Sequence, residues 1–210
     1  MNKTIQLVNA WGEFEARFPN CSIEEFCRYY LKDSEANTTR EEKKDLLTPT
    51  NTDSTLMRIL GRIMLIHSIL ADKALQGTGI ERVEEFSMLN AVYLLKDPKK
   101  SEAIQACLHE ISTGTDILNR LKKRGYLTEE SDQQDKRSKR VSVTLSGEQA
   151  LTGAKQKIST LAEMLLSGME EDDKKICIHL LHDIETRFTP MMGSIKGKRF
   201  DQLVKDTVNG

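Results

Sequence analysis

The fold of this chain follows from Leu121-Lys-Lys-Arg-Gly-Tyr-Leu127, a charged loop, and Val141-Ser-Val-Thr-Leu145. Apolar residues before Gly125 have the spacing of a short helix, and glycine is favoured just after a helix end. Residues 126–128 have strand-like composition, and residues 141–145 alternate with a period of two, as a strand does. Residues 129–140 between them are polar and charged. The pattern predicts a helix followed by a β-hairpin with a long charged tip.

Segments with helical spacing flank this hairpin on both sides. They are 53–75, 82–95, 101–108, 114–124, 146–169 and 171–188. We place a turn at 111–113 and the N-cap of the helix after the hairpin at Ser146. The order predicts a mostly α protein with a small β-hairpin wing, that is, a winged helix-turn-helix plus a helical dimerisation region. In such a module the second short helix, here 114–124, enters the major groove of DNA.

A second helical pair is predicted at the N-terminus. It is rich in aromatic residues, and Ser22 and Glu25 have the spacing of a capping box. The domain prediction is then an N-terminal helical extension (1–33), a linker (34–51), a winged-helix domain (52–190) and a flexible tail (191–210). Within the winged-helix domain we expect a DNA-binding lobe over 80–145 and dimerisation helices over 53–75 and 146–189.

The charge of the chain is distributed unevenly. Lys and Arg total 31 and Asp and Glu total 32 among 210 residues, a net charge of -1 that argues against a protein basic throughout. Residues 120–140 nevertheless contain eight basic and four acidic side chains, a net +4, so the remainder carries -5. Positive charge therefore concentrates at the end of the predicted recognition helix and in the wing.

Three stretches resemble the MarR family of bacterial transcriptional regulators. They are Leu121–Leu127, Asp135–Thr144 and Ser146–Glu148, and the resemblance extends over residues 51–190. The family's wing has roughly the pattern Asp-x-Arg, a strand ending in Thr, and a Gly at the start of the next helix. The resemblance implies a homodimer that binds a palindromic operator in double-stranded DNA. It also implies repression relieved by an unidentified small-molecule effector or by thiol oxidation.

The resemblance assigns roles to individual residues as well. Arg137 is the wing arginine that enters the minor groove, and Asp135 orients it through a bidentate pair. The other expected DNA contacts lie on the recognition helix or in the wing, and they are Ser112, Thr113, Thr115, Asn119, Arg120, Lys123, Lys136, Lys139 and Arg140.

Several of these positions have two interpretations. The hydroxyls of 112, 113 and 115 either bond phosphates or cap the helix. Asn119 can read adenine, although its late position favours a phosphate or solvent role. Asp116 either accepts from cytosine or, as we favour, pairs with Arg120 four residues on. Gly114 either permits close approach to DNA or lies in the first helical turn at little cost.

Other chemistry has weaker support. The four cysteines lack C-x-x-C spacing, and Cys107 is favoured as a buried apolar residue over a redox sensor. His179 and His182 share a helix face, but structural roles are favoured over metal ligation. We find no enzyme signature or cofactor motif, and charges interrupt 56–75 too often for a membrane span. We expect a cytoplasmic protein without signal peptide, catalytic site, metal or cofactor.

We therefore expect a DNA-binding transcriptional regulator, a ligand-responsive repressor that works as a homodimer. The alternative is a winged-helix adaptor that binds proteins without specific DNA recognition. Its support is the acidic Asp116 and the aromatic N-terminal pair, which must pack on another surface. We favour the partner subunit's helices as that surface, and the alternative is a second protein. A third reading is a ligand- or metal-sequestering protein that uses His179 and His182.

Overall fold

A computed structural model describes residues 2–19, 21–36, 51–195 and 198–208. The helices are α1 (Lys3–Arg17), α2 (Ile23–Ala36), α3 (Thr52–Ala74), α4 (Val83–Leu95), α5 (Lys100–Ala106), α6 (Ile111–Lys123), α7 (Leu145–Leu165), α8 (Glu171–Phe188) and α9 (Phe200–Val208). The strands are β1 (Leu127–Ser131) and β2 (Lys139–Val143), and a 3-10 helix covers Thr189–Ser194. The predicted fold class, mostly α with one β-hairpin wing, is confirmed.

The chain divides into two compact units, Met1–Ile59 and Leu60–Gly210. In the first unit, the predicted capping box forms at the start of α2. The Ser22 amide donates to the Glu25 carboxylate at 2.9 Å, and the Glu25 amide donates to the Ser22 hydroxyl at 3.2 Å. The rings of Phe14 and Phe26, one from each helix, are buried with centroids 5.6 Å apart. Residues 37–50 of the predicted linker lie outside the described residues.

The second unit has a core shared by α4, α5, α6, the hairpin and α7. Its fully buried apolar side chains are Leu75, Ile80, Met88, Leu89, Val92, Ala103, Ile104, Ile117, Leu118, Leu121, Leu127, Val141, Leu151 and Ala154. Each large side chain removed from water contributes roughly 1.5–3 kcal/mol to folding. Every element of the predicted DNA-binding lobe therefore contributes to one core.

The helix-turn-helix differs from its prediction at the turn. Leu108 adopts a left-handed backbone with φ of 55° just after α5, and α6 begins at Ile111. The Gly114 amide donates to the Glu110 carbonyl at 2.8 Å, so residues 111–113 already form the first turn of α6. The turn predicted at 111–113 is wrong, and it lies before Ile111 instead. Ser112 and Thr113 are therefore helical residues.

Gly114 has a packing role that neither earlier interpretation included. It is buried, and a Cβ placed there would lie 2.6 Å from both Cγ1 and Cγ2 of Ile104 on α5. Ile104 is itself buried and β-branched, so it has little freedom to move aside. The glycine allows the two helices of the helix-turn-helix to pack together.

The wing is an antiparallel hairpin whose register runs from Leu127 opposite Val143 to Ser131 opposite Lys139. It is longer than predicted, because the ladder continues through the charged residues at the tip. The other edge of β2 is also used, since the Val141 amide donates to the Pro98 carbonyl at 3.0 Å. The wing is therefore joined by backbone hydrogen bonds to the segment just before α5.

The N-cap of α7 and the C-terminal tail also differ from prediction. The N-cap of α7 is Thr144, whose hydroxyl accepts from the Gly147 amide at 3.0 Å, while the Ser146 hydroxyl donates to the Gly125 carbonyl at 3.0 Å. Ser146 is thus used to hold the turn after α6. The tail predicted over 191–210 contains a further helix, α9, in which Phe200 and Val204 have helical spacing.

Gly114→Ala tests the packing of α5 on α6. We expect it to destabilise the protein by about 1–3 kcal/mol, because the added methyl group forces the buried Ile104 to shift. Gly153→Ala in α7 is the matched control, since a Cβ at that position would have no atom within 4 Å apart from the adjoining backbone of its own helix. The control should be neutral or stabilising by up to about 1 kcal/mol. Equal urea midpoints for the two variants would contradict the packing role.

Candidate nucleic-acid interface

The solvent-facing side of α6 forms a polar stripe, which we define as Ser112, Asp116, Asn119 and Lys123. All four are exposed, whereas the opposite side of α6 is buried in the core. Within the described part of the chain, the hydroxyls of Ser112, Thr113 and Thr115 form no side-chain hydrogen bond, and the N-cap residue is Glu110. These hydroxyls therefore do not cap the helix. The stripe has the groups needed to contact phosphates and base edges.

Glu85 on α4 fixes the other side of α6. Its carboxylate is 1% exposed and accepts from Arg120 Nε at 3.0 Å and from Arg124 Nη1 at 2.7 Å. The Glu81 amide donates to the same group at 3.1 Å. Burial acts to raise the pKa of Glu85, but the hydrogen bonds from Arg124, Glu81 and Arg120 outweigh it and hold the pKa below its usual value. The last two turns of α6 are thereby ion-paired to α4.

This arrangement corrects the predicted pairing of Arg120 with Asp116. The Arg120 guanidinium is bonded to Glu85, which is 35 residues away in sequence. Asp116 is left exposed, with no ion pair among the described residues. A local pairing rule missed the contact because the stronger partner is buried, and a buried carboxylate requires a cation.

Glu129 on β1 gathers three lysines from three different elements. It lies 2.6 Å from the Nζ of Lys139 on β2, 3.3 Å from that of Lys100 on α5 and 3.3 Å from that of Lys122 on α6. The hydrogen bond from Lys139 is the largest cause that lowers the pKa of Glu129 to about 2. Lys139, predicted as a DNA contact, is held inside the protein's own ion-pair cluster.

The wing tip is organised by Asp132, which sequence analysis missed. Asp132 accepts from the amides of Gln134 at 2.9 Å and Asp135 at 2.8 Å, and from Arg140 Nε at 2.6 Å. Arg140 also donates to the Asp97 carbonyl at 2.7 Å. These bonds, the Asp135 amide first, lower the pKa of Asp132. An Asp that bonds backbone amides two and three residues on is a common turn signal, and it could have identified this residue.

Asp135 does not form the predicted bidentate pair with the Arg137 side chain. Its two oxygens accept from the Arg137 amide at 3.1 Å and from the Ser138 hydroxyl at 2.7 Å. The hydrogen bond from Ser138 is the largest cause that lowers the pKa of Asp135. Asp135 therefore shapes the backbone of the loop, and the Arg137 guanidinium is exposed with no ion pair in the described residues.

The basic side chains of this region fall into two groups. Those in ion pairs are Arg120, Lys122, Arg124, Lys139 and Arg140. Those without an ionic partner in the described ranges are Lys123, Lys136 and Arg137. Unpaired positive charge is therefore found at the end of α6 and at the wing tip.

The described residues show the surroundings of the histidines and cysteines, the candidate metal ligands and redox sensors. No group of three or more His, Cys, Asp or Glu side chains is arranged there to hold a metal ion. His182 Nδ1 lies 3.2 Å from the Glu185 carboxylate. Cys107 is half-buried, and burial raises the pKa of its thiol, which disfavours the reactive thiolate.

Comparisons with known proteins agree with this geometry. Residues 84–147 match a family described as the winged helix DNA-binding domain. The matched segment is thus similar to winged helix DNA-binding domains. It contains α4, α5, α6, the hairpin and the α7 N-terminus, so it includes both the polar stripe and the wing tip. None of the curated protein sequences matches the chain.

Solved structures share the fold over a longer stretch. The MarR protein from Peptoclostridium difficile is 16% identical, with a TM-score of 0.65 over 70% of this chain and 96% of that one. The PcaV transcriptional regulator from Streptomyces coelicolor, in complex with its natural ligand, is 17% identical, with a TM-score of 0.57 over 66% and 94%. BpsR from Bordetella bronchiseptica, whose DNA binding is regulated by 6-hydroxynicotinic acid, is 17% identical, with a TM-score of 0.57 over 62% and 98%. The resemblance to MarR regulators is thus confirmed as a shared fold.

The Glu129 cluster predicts a measurable dependence of stability on pH. A pKa of about 2 in the folded protein, below the ordinary 4.5, means that ionised Glu129 stabilises the fold above about pH 4.5. This contribution is lost as the pH falls from about 4.5 towards 2. Urea unfolding at about pH 6 and about pH 3 should therefore show a smaller acid-induced loss for Glu129→Gln than for wild type.

Glu130→Gln is the control for that experiment. Glu130 is the next residue on β1, it is exposed, and it has no ion pair in the described residues. This variant should retain the wild-type loss of stability in acid. An identical acid-induced loss in both variants would contradict the ion-pair cluster.

Proposed function

We propose that the protein is a sequence-specific transcriptional regulator that binds a palindromic DNA operator as a homodimer. We propose further that it is a repressor controlled by a small-molecule effector in the bacterial cytoplasm. The observation that carries the proposal is a winged helix DNA-binding domain whose exposed stripe on α6 and unpaired wing-tip cations face solvent. Neither feature is needed for the core.

In this proposal, α6 lies in the major groove and the wing reaches the neighbouring minor groove. Arg137 is the residue for that minor groove, because a free guanidinium suits its negative potential. Lys123 and Lys136 bond phosphates, as do the hydroxyls of Ser112 and Thr113. Thr115 is half-buried, and we assign it a secondary role next to these phosphate contacts.

Base recognition is assigned to Asp116. Because Arg120 is bonded to Glu85, the Asp116 carboxylate is free to accept from the N4 amino group of cytosine. Asn119 lies one turn further along the same stripe, where its amide can contact a base or a phosphate. Arg120, Lys139 and Arg140 are ion-paired to carboxylates of the protein. We assign them to holding α6 and the wing in place, and not to direct contacts with DNA.

The homodimer is supported by apolar surface on α3 and α8. No residue of α8 is buried, and Ile176, Leu180 and Ile184 form an exposed row along it. By length and composition α3 could even cross a membrane, and only 6% of its most apolar window is buried. Isolated helices gain most of their stability from packing an apolar face, so such surfaces favour a partner subunit. We assign dimerisation to 53–75 and 146–189.

Effector control rests on the relatives that share the fold. PcaV was solved with its natural ligand, and the DNA binding of BpsR is regulated by 6-hydroxynicotinic acid. A bound ligand can control a dimeric regulator by changing the separation of its two recognition helices, which must match sites about 34 Å apart. We propose the same type of control for this chain, with an organic effector of unspecified structure.

Selection from random DNA duplexes, followed by a salt titration, tests the proposed function. We expect enrichment of a palindrome and a logarithmic affinity that falls steeply with the logarithm of salt concentration. If no sequence is enriched at low salt, the proposal fails and the protein-binding adaptor is favoured.

Arg137→Ala tests the wing assignment. The loss of a minor-groove arginine should cost about 1–3 kcal/mol of binding to the selected operator. Lys136→Ala is the control, because a phosphate contact weakens binding to all sequences about equally. Fluorescence anisotropy with the operator and a scrambled duplex distinguishes the two effects. An operator affinity unchanged by Arg137→Ala would reject the assignment.

Leu180→Glu tests the dimer interface. A carboxylate in the middle of the exposed α8 row should give a monomer in light scattering and abolish tight operator binding, because burying an unpaired charge is costly. Thr186→Glu makes the same charge change on another side of α8 and should leave a dimer. A wild-type monomer at micromolar concentration, or a dimeric Leu180→Glu variant, would contradict the interface.

A further inference from the structure

Glu129 holds together the elements that the proposed function brings to DNA. Its carboxylate is 9% exposed, whereas Lys100, Lys122 and Lys139 are 23%, 47% and 56% exposed. The side chains of Lys122 and Lys139 are therefore exposed and that of Lys100 is half-buried, while the carboxylate that binds all three is nearly buried. The three lysines come from α5, α6 and β2, so one carboxylate joins both helices of the helix-turn-helix to the wing.

The cluster has an excess of positive charge. One carboxylate faces three ammonium groups, which would repel one another and move apart if the anion were absent. A lysine has a long flexible side chain, and near a duplex its free ammonium group bonds whichever phosphate is in reach. Such contacts are independent of sequence, and each makes the slope of log affinity against log salt concentration more negative by about 0.9.

We propose that Glu129 is a specificity-determining and positioning residue that keeps these three lysines away from DNA phosphates. By holding Lys100, Lys122 and Lys139, it limits the sequence-independent part of DNA affinity. The unpaired Lys123, Lys136 and Arg137 then supply the contacts that form when α6 and the wing are seated correctly. This inference rests on the proposed DNA-binding function and adds a reason for its selectivity.

Glu129→Gln and Glu130→Gln form the matched pair for the test. Both remove one negative charge from β1, but Glu130 has no ion pair in the described residues. The affinity of each full-length variant for the selected operator and for a scrambled duplex is measured over a series of KCl concentrations. Glu129→Gln should bind the scrambled duplex on the order of tenfold more tightly, with a salt slope steeper by about one to three per subunit. Its operator-to-scrambled ratio should fall, and that of Glu130→Gln should not.

A second pair of variants keeps the proposal testable if Glu129→Gln folds poorly. Lys122 is bound by Glu129, whereas the adjacent Lys123 has no ionic partner in the described residues. Lys123→Gln should therefore lower the wild-type salt slope by about 0.9 per subunit, and Lys122→Gln should leave it unchanged. In the Glu129→Gln background, Lys122→Gln should remove part of the gained affinity for the scrambled duplex. A purely structural role for Glu129 would not produce this difference.

The outcomes separate this inference from the proposed function. If wild type enriches a palindrome but Glu129→Gln behaves like Glu130→Gln, the role of Glu129 is overturned and the regulator remains. The same holds if Lys122→Gln lowers the wild-type slope as much as Lys123→Gln does. If wild type enriches no sequence, both proposals fail together.

Discussion

The arrangement of the proposed DNA-binding lobe depends on the ion pairs between Glu85 and two arginines, Arg120 and Arg124. Apolar packing of α6 against α4 leaves the helix some freedom to rotate or slide, because dispersion contacts have little directionality. Two arginines from successive turns of α6 meet one buried anion, and this directional contact removes that freedom. A carboxylate as buried as that of Glu85 is costly to leave without a cation, so the two arginine contacts stabilise this placement of α6. The direction in which the stripe Ser112, Asp116, Asn119 and Lys123 faces therefore depends on a residue on another helix.

Glu129 and Asp132 extend the same principle to the wing. Glu129 links the hairpin to α5 and α6, and Asp132 links its two strands through Arg140. These carboxylates, with Glu85, occupy five of the eight basic side chains between residues 120 and 140. Most basic side chains of this region are thus held in internal ion pairs. The positive charge available to DNA is located at Lys123, Lys136 and Arg137. An acidic remainder of the chain favours approach to DNA by this surface.

Helical spacing and strand alternation were sufficient to predict the element order from α1 to α8 and the wing, and the resemblance to MarR regulators predicted the shared fold. Two of the errors occurred where a distant residue determined the outcome. The need for glycine at position 114 comes from the close approach of Ile104 on α5. Arg120 forms its ion pair with the buried Glu85 on α4 and not with Asp116 on its own helix. Asp135 has the sequence position of a partner for Arg137 but bonds the loop backbone. Sequence spacing predicts which side chains can pair within one element. Tertiary packing determines which of them are paired elsewhere and which remain free to contact DNA.

A hydroxyl-radical footprint on the selected operator tests most directly whether one rigid lobe reads two neighbouring grooves. We expect two symmetric sets of protected sugars, each with an inner part due to α6 and an outer minor-groove part due to the wing. Arg137→Ala should lose only the outer protection, because Glu85 and Glu129 still hold α6 in place. A footprint without symmetry, or one in which Arg137→Ala leaves the outer protection intact, would contradict the account.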